Sequence, residues 1–192
     1  FLNFNPEIKN PTEAIYDLHS AIEFKNVSFT YPESGILALD NVSFIIPEGT
    51  TVGITGRTGC GKSTIANLLC RLYDASEGEV LINGVNIKQY SISALRTAFG
   101  YVPQEVFLFS DTVANNIAFG IKKREVSEAA VIQAAKDAVV YKNIIGFEHG
   151  FETEIGEKGV TLSGGQKQRM SIARAIIKEP PFMVFDDCLL SY

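Results

Sequence analysis

The sequence predicts an α/β layer fold, and three observations carry that prediction. Segments with strand patterning alternate with segments of helical spacing along the chain. A glycine-rich loop, residues 56–64, lies between a predicted strand and a predicted helix. Late in the chain a solid apolar run, Phe182 to Phe185, leads into Asp186 and Asp187, as expected of a parallel strand buried on both faces.

The elements follow in order. Residues 1–20 are polar, carry Pro6 and Pro11, and read as a linker or irregular lead-in. Ala21 to Tyr31 is strand-like, and the shift in alternation after Phe24 predicts a bulge. Val42 to Ile46 is a second strand and Thr51 to Thr55 a third. A helix is expected from about Lys62 to Tyr73, with Ile65, Leu68, Leu69 and Leu72 on its apolar face. Val80 to Ile82 is a short strand closed by a turn at Asn83-Gly84. Ser91 to Thr97 reads as helical and Phe99 to Val102 as a strand. Asp111 to Phe147 is alanine-rich with helical spacing and reads as a small helical subdomain. A last helix runs from about Ser163 to Lys178, and Pro180 and Pro181 forbid its continuation.

Composition narrows the function classes. The 192 residues are 46% apolar and 20% charged, enough for one domain, or one domain with a small subdomain, built on a real core. The net charge of -5 gives no global attraction to nucleic acid or to an acidic membrane surface. Cys60, Cys70 and Cys188 are odd in number and widely spaced, with no CxxC, so neither a disulfide framework nor a zinc site is indicated. Free thiols of this kind suit a reducing cytosol. No apolar run approaches the roughly 18 residues needed to cross a bilayer. The chain opens on Phe1 and stops at Tyr192, and is expected to be a piece of a longer protein.

The strongest chemical signal is the loop. Residues 56–64 read Gly-Arg-Thr-Gly-Cys-Gly-Lys-Ser-Thr, which fits G-x-x-x-x-G-K-[ST]. Gly56, Gly59 and Gly61 let the backbone wrap round phosphate and turn its N–H groups inward, with Thr58, Cys60 and Thr64 between and after them. The following helix offers its N-terminus to the anion. Lys62 supplies a charge to the β and γ phosphates, and the Ser63 hydroxyl can ligate Mg²⁺. ATP and Mg²⁺ are the expected ligands. Ligands of open α/β sheets sit beyond the carboxyl ends of strands, so Asp186 is a second expected Mg²⁺ ligand. Ser163 can N-cap the last helix and Gln166 can complete a capping box. Two glycines, Gly164 and Gly165, weaken that first turn by roughly 1 kcal/mol each relative to alanine, which makes sense if something approaches the backbone closely.

Residues 162–166, Leu-Ser-Gly-Gly-Gln, resemble the signature motif of ABC ATPases, and they lie between the phosphate loop and the acidic strand in that family's order. The resemblance covers about Ala21 to Asp187. It implies a P-loop NTPase core with an antiparallel β subdomain and an inserted helical subdomain, about residues 111–165, C-terminally truncated. It also implies roles. Tyr31 resembles the aromatic that stacks on adenine, and Gln104 resembles the Q-loop glutamine that reaches Mg²⁺ and the attacking water. Ser163, Gly164, Gly165 and Gln166 would meet the γ-phosphate of ATP bound to an opposite subunit. Thr153 to Gly159 resembles the X-loop of exporters, which contacts the membrane domains, and residues 1–20 resemble the tether from the last membrane helix.

Two departures stand out. The family places a catalytic glutamate where this chain has Asp187, and neither the D-loop nor the switch histidine is recognisable. His19 and His149, the two histidines present, read as surface residues.

The resemblance therefore implies an ATPase module, with Asp187, Gln104 and Lys62 catalytic, of a bacterial lipid- or multidrug-type exporter. Its partners would be a second nucleotide-binding domain and transmembrane domains upstream in the same chain. Its place would be the cytoplasmic face of the inner membrane, and it would pair as a homo- or heterodimer: Asp187 favours the degenerate-site subunit of a heterodimer, beside a homodimer in which aspartate simply works. A soluble ABC ATPase acting on DNA or ribosomes, and a regulatory module that binds ATP without cleaving it, stand beside that reading.

Overall fold

The computed structural model describes residues 8–11, 18, 21–119, 121, 126–156 and 161–187. The chain forms two compact units, one ending at Ala98 and the other beginning at Phe99. It is an α/β fold with an antiparallel sheet and helices, as the sequence predicts.

The first unit holds a four-stranded antiparallel sheet in the order β2-β1-β3-β4. Its strands are β1 Ile22–Thr30, β2 Leu37–Ile46, β3 Glu77–Ile82 and β4 Val85–Asn86. The central strand β1 buries Phe24, Val27 and Phe29 and pairs with β2 on one side and β3 on the other. Its register with both neighbours slips beyond Phe24 and Lys25, where Asn26 takes φ 51°, so the expected bulge is present. Asn83 and Gly84, at φ 53° and 72°, form the two-residue turn that sends β3 back as β4.

Helix α1 spans Lys62–Leu69 and buries Ile65, Leu68 and Leu69. It stops earlier than predicted: Arg71 takes a left-handed φ of 48°, which ends the helical path. Leu72, expected on the apolar face, falls past that break and is 47% exposed. Helix α2, Ile92–Ala98, closes the unit and buries Leu95.

One predicted strand does not form. Thr51 to Thr55 is without ladder pairing, and Val52 and Ile54 are exposed. The apolar alternation of that segment suits a strand, but a strand also needs a ladder for its backbone groups, and neither sheet of the described residues includes this segment.

The second unit contains a parallel pair, β5 Phe99–Val102 and β6 Phe182–Phe185, in unbroken register. Between them in sequence come α3 Val113–Ala118, α4 Glu128–Asp137, α5 Tyr141–Ile144 and α6 Gly164–Ile176. Val113 and Ile117 of α3, Val131 and Ala135 of α4, Ile144 of α5 and Met170 of α6 share one apolar core. Another side of α6 packs on β5 and β6 through Ala175, Val102 and Met183. The expectation that Phe182 to Phe185 is buried on both faces is corrected: the strand is half-buried, and Phe185 is 47% exposed. With β5 as its one described neighbour, the strand has too little sheet around it to be covered. No helix among the described residues is long and apolar enough to cross a membrane.

Candidate functional site

The sequence-predicted residues fall into two groups, one in each unit. In the first unit the loop from Gly56 to Gly61 runs exposed into α1. Gly59 and Gly61 are left-handed, at φ 82° and 92°, a conformation that carries little cost only for glycine. Gly61 is doubly constrained, because a Cβ there would run into the carbonyl oxygen of Ala38 and approach Leu39 Cδ2 to 2.8 Å. At Gly59 nothing among the described residues lies within 4 Å of that position, so the loop is open there to a ligand. Gly61 is also the N-cap of α1, and it makes no side-chain cap. No acidic residue occupies the first turn either. An uncapped helix start with a positive dipole end suits an anion.

Lys62 completes the local charge. Its Nζ donates to the carbonyl oxygens of Gly56 at 2.9 Å and Arg57 at 3.0 Å, so the ammonium is folded over its own loop. Cys60 is exposed, with Sγ 3.9 Å from that Nζ. Cys70 at the far end of α1 differs: burial pushes its thiol pKa up to about 11, against the weaker opposing pull of Arg96, so it stays a protonated packing residue. Ser63 is exposed, whereas Thr64 turns inward and is 4% exposed. The Thr64 hydroxyl lies 3.0 Å from the Tyr31 hydroxyl. The structure thus brings Tyr31 to the loop helix. Its ring meets Phe29 and Tyr73 edge-on, at centroid distances of 4.8 and 5.4 Å.

In the second unit β5 and β6 place three of the predicted residues together. Asp186 follows β6, and its backbone N–H donates to Val102 O at 3.0 Å, which extends the parallel ladder by one residue. The Tyr101 hydroxyl of β5 donates to Asp186 Oδ2 at 3.2 Å. Gln104, two residues beyond β5, donates from Nε2 to Asp187 Oδ2 at 3.0 Å. Asp187 itself is exposed and left-handed, at φ 50°. Gln104 and Asp187 are therefore mutual partners across 83 residues of sequence.

Helix α6 begins as its sequence predicts. Ser163 Oγ accepts from Gln166 N at 3.3 Å, and Gln166 Oε1 accepts from Ser163 N at 2.9 Å, a reciprocal capping box. Among the described residues, nothing lies within 4 Å of the position a Cβ would take at Gly164. Further along α6 the Arg174 guanidinium donates to the carbonyls of Asn116 and Phe107 and to Asn116 Oδ1, at 2.8–3.0 Å. Asn116, 1% exposed, also bonds both backbone groups of Phe109. This hub ties the segment after Gln104 to α6, and the sequence reading missed it. The one available signal was an asparagine amid the alanine-rich helical stretch. Of the X-loop-like stretch, Thr153 to Gly156 is described. Val113 N donates to Thr153 O and Ile155 N to Asp111 O, both at 3.0 Å, which pins it to the start of α3. Residues 157–159, His19, Cys188 and the final four positions lie outside the described residues, while His149 is exposed as expected.

No group of three or more His, Cys, Asp or Glu that could hold a metal ion occurs among the described residues. A cation here would fit the Mg²⁺ pattern of one or two protein ligands completed by phosphate and water, not an all-protein cage.

The ABC transporter family profile matches residues 39–190. The chain is 48% identical over 193 residues to ABC transporter B family member 6 of Dictyostelium discoideum, covering 97% of this chain and 28% of that protein. It is 47% identical over 186 residues to an ATP-dependent lipid A-core flippase of Haemophilus influenzae (strain 86-028NP), covering 97% of this chain and 32% of the relative. A solved structure of a bacterial Atm1-family ABC exporter with ATP bound superimposes with a TM-score of 0.91 at 40% identity, over 99% of this chain and 33% of that one. The chain thus spans about a third of the length of the relatives it matches.

Proposed function

Because this chain belongs to the ABC transporter family, as the nucleotide-binding domain of an exporter-type member, we propose that it binds Mg·ATP on the loop Gly56–Thr64 and hydrolyses it to drive export across a membrane. The observation that carries this reading is the start of α1: left-handed Gly59 and Gly61, no side-chain cap and a lysine folded over the loop. Lys62 moves from its loop carbonyls to the β and γ phosphates, a short swing for a flexible ammonium. Ser63 and Asp186 are each assigned to Mg²⁺, which supplies charge neutralisation on the phosphates when bound. Tyr31, with its hydroxyl held at Thr64, is assigned to the adenine face. Gln104 and Asp187 are assigned to the attacking water, Gln104 also to the metal, and their mutual hydrogen bond supports their acting as a pair. The N-terminus of α6, Ser163 to Gln166, would serve ATP held by a second nucleotide-binding domain in a head-to-tail pair. The membrane domains would precede this segment, and it would lie at the cytoplasmic face.

Asp187 favours a finer reading. Aspartate is one methylene, about 1.5 Å, shorter than the family's glutamate, and here its carboxylate is engaged by Gln104. We infer a slow site, paired with a different subunit that carries the glutamate. The test is Asp187→Glu in the full-length protein reconstituted in lipid. Hydrolysis at this site should rise by tenfold or more, because a water-polarising carboxylate acts only within hydrogen-bond reach. A homodimer with full turnover that glutamate does not improve would overturn the heterodimer. Loss of neither hydrolysis nor export in Lys62→Ala would overturn the function itself.

A further inference from the structure

The parallel pair β5–β6 carries a residue that the sequence reading passed over. Phe99 stands opposite Phe182 and Tyr101 opposite Val184, with no register shift. Alternation then puts Phe99, Tyr101, Phe182, Val184 and Asp186 on one face of the pair, and the stacked rings of Phe99 and Phe182, 4.9 Å apart, mark that face. Tyr101 is long enough to reach past its direct partner to the next residue on the same face, Asp186, and its hydroxyl lies 3.2 Å from Oδ2. The backbone N–H of Asp186 is held by Val102 O, the residue after Tyr101. Asp186 is therefore anchored twice by one strand, through its backbone and through its carboxylate.

We propose that Tyr101 is a positioning residue for Asp186, fixing the rotation of a carboxylate that receives Mg²⁺; this rests on the assignment of Asp186 to the metal. An aspartate carboxylate just beyond a strand end can turn about χ1 and χ2, and a ligand that must be ordered at the moment of binding loses affinity. Carboxylates that ligate metals are commonly oriented by a hydrogen bond from outside the coordination sphere, and loss of that partner weakens metal binding by about tenfold or more. The contact is longer than the usual 2.7–2.8 Å for O–H···O, so the lower end of that range is expected. Tyr101→Phe removes the hydroxyl and keeps the ring, which separates orientation from packing.

The experiment uses the full-length protein, purified with ADP, and titrates Mn²⁺ by electron paramagnetic resonance in the wild type, Tyr101→Phe, Asp186→Asn and the double variant. ADP affinity in EDTA is measured alongside. Tyr101→Phe should raise the Mn²⁺ Kd about tenfold and leave metal-free ADP affinity unchanged. Asp186→Asn should raise the Mn²⁺ Kd further, and adding Tyr101→Phe to it should change nothing more, as a hydroxyl that affects the metal through that carboxylate requires. If Asp186→Asn weakens Mn²⁺ binding and Tyr101→Phe does not, the inference is wrong and the assignment of Asp186 survives. If neither weakens it, the assignment of Asp186 falls and the inference with it. If Tyr101→Phe weakens ADP equally with and without metal, the hydroxyl holds the strands together and does not position a ligand, which also overturns the proposal.

Discussion

Two helices of this chain open on glycine-rich turns, and the two turns are finished in opposite ways. Helix α1 starts at Gly61 with no side-chain cap, a left-handed backbone and a lysine resting on the loop's own carbonyls. Helix α6 starts at Ser163 with both halves of a capping box in place and two glycines just inside it. At α1 the glycine is required by its own surroundings, because Ala38 and Leu39 leave no room for a Cβ. At Gly164 no neighbour among the described residues demands a glycine, since none lies within 4 Å of the position a Cβ would take. A helix start left unfinished by its own side chains suits a ligand bound in the same chain. A helix start that is already capped, yet kept small on its outer side, suits a ligand delivered from elsewhere.

That contrast can be broken by substitution. The largest effect is expected at Gly61→Ala. The left-handed φ of 92° and the backbone oxygen of Ala38 together should cost about 3 kcal/mol or more of stability. Thermal unfolding would read it; a melt unchanged from wild type would mean that the loop is not held in this conformation. Ser163→Ala, which removes one half of the box, should cost about 1 kcal/mol. It is checked by denaturant unfolding, where a cost near zero would show the cap to be idle. Smallest and opposite in sign, Gly164→Ala should raise stability by up to about 1 kcal/mol, since helical glycine gives way to alanine in open space. The same variant should lower hydrolysis by the assembled transporter. Full turnover together with the gain in stability would remove the reason for keeping that position small.

What was legible in the sequence was local. The phosphate loop, the Asn83-Gly84 turn and the Ser163/Gln166 box are each written within a few consecutive residues, and each closes by short-range geometry. What was not legible depends on neighbours distant in sequence. Thr51 to Thr55 has strand periodicity, but pairing is a property of two strands, and periodicity describes one. Leu72 keeps helical spacing with Leu68, yet the left-handed Arg71 turns the chain before it can share that face. Phe182 to Phe185 is apolar throughout, but burial on both faces needs more sheet than β5 alone provides. The contacts of Tyr101 with Asp186 and of Gln104 with Asp187 span 85 and 83 residues, and the Asn116–Arg174 hub spans 58. Each exists only because the parallel pair and its helices bring those segments together.

The central claim is that nucleotide belongs to the start of α1 in the same chain. The most direct test is calorimetry of ATP binding to the full-length protein carrying Lys62→Ala, beside Ser163→Ala as the control from α6. Removing the ammonium should weaken binding by about 1–3 kcal/mol, roughly fivefold to 150-fold, while Ser163→Ala leaves the affinity of each chain for its own ATP unchanged. Equal ATP affinity in Lys62→Ala and wild type, or a loss confined to Ser163→Ala, would contradict the account.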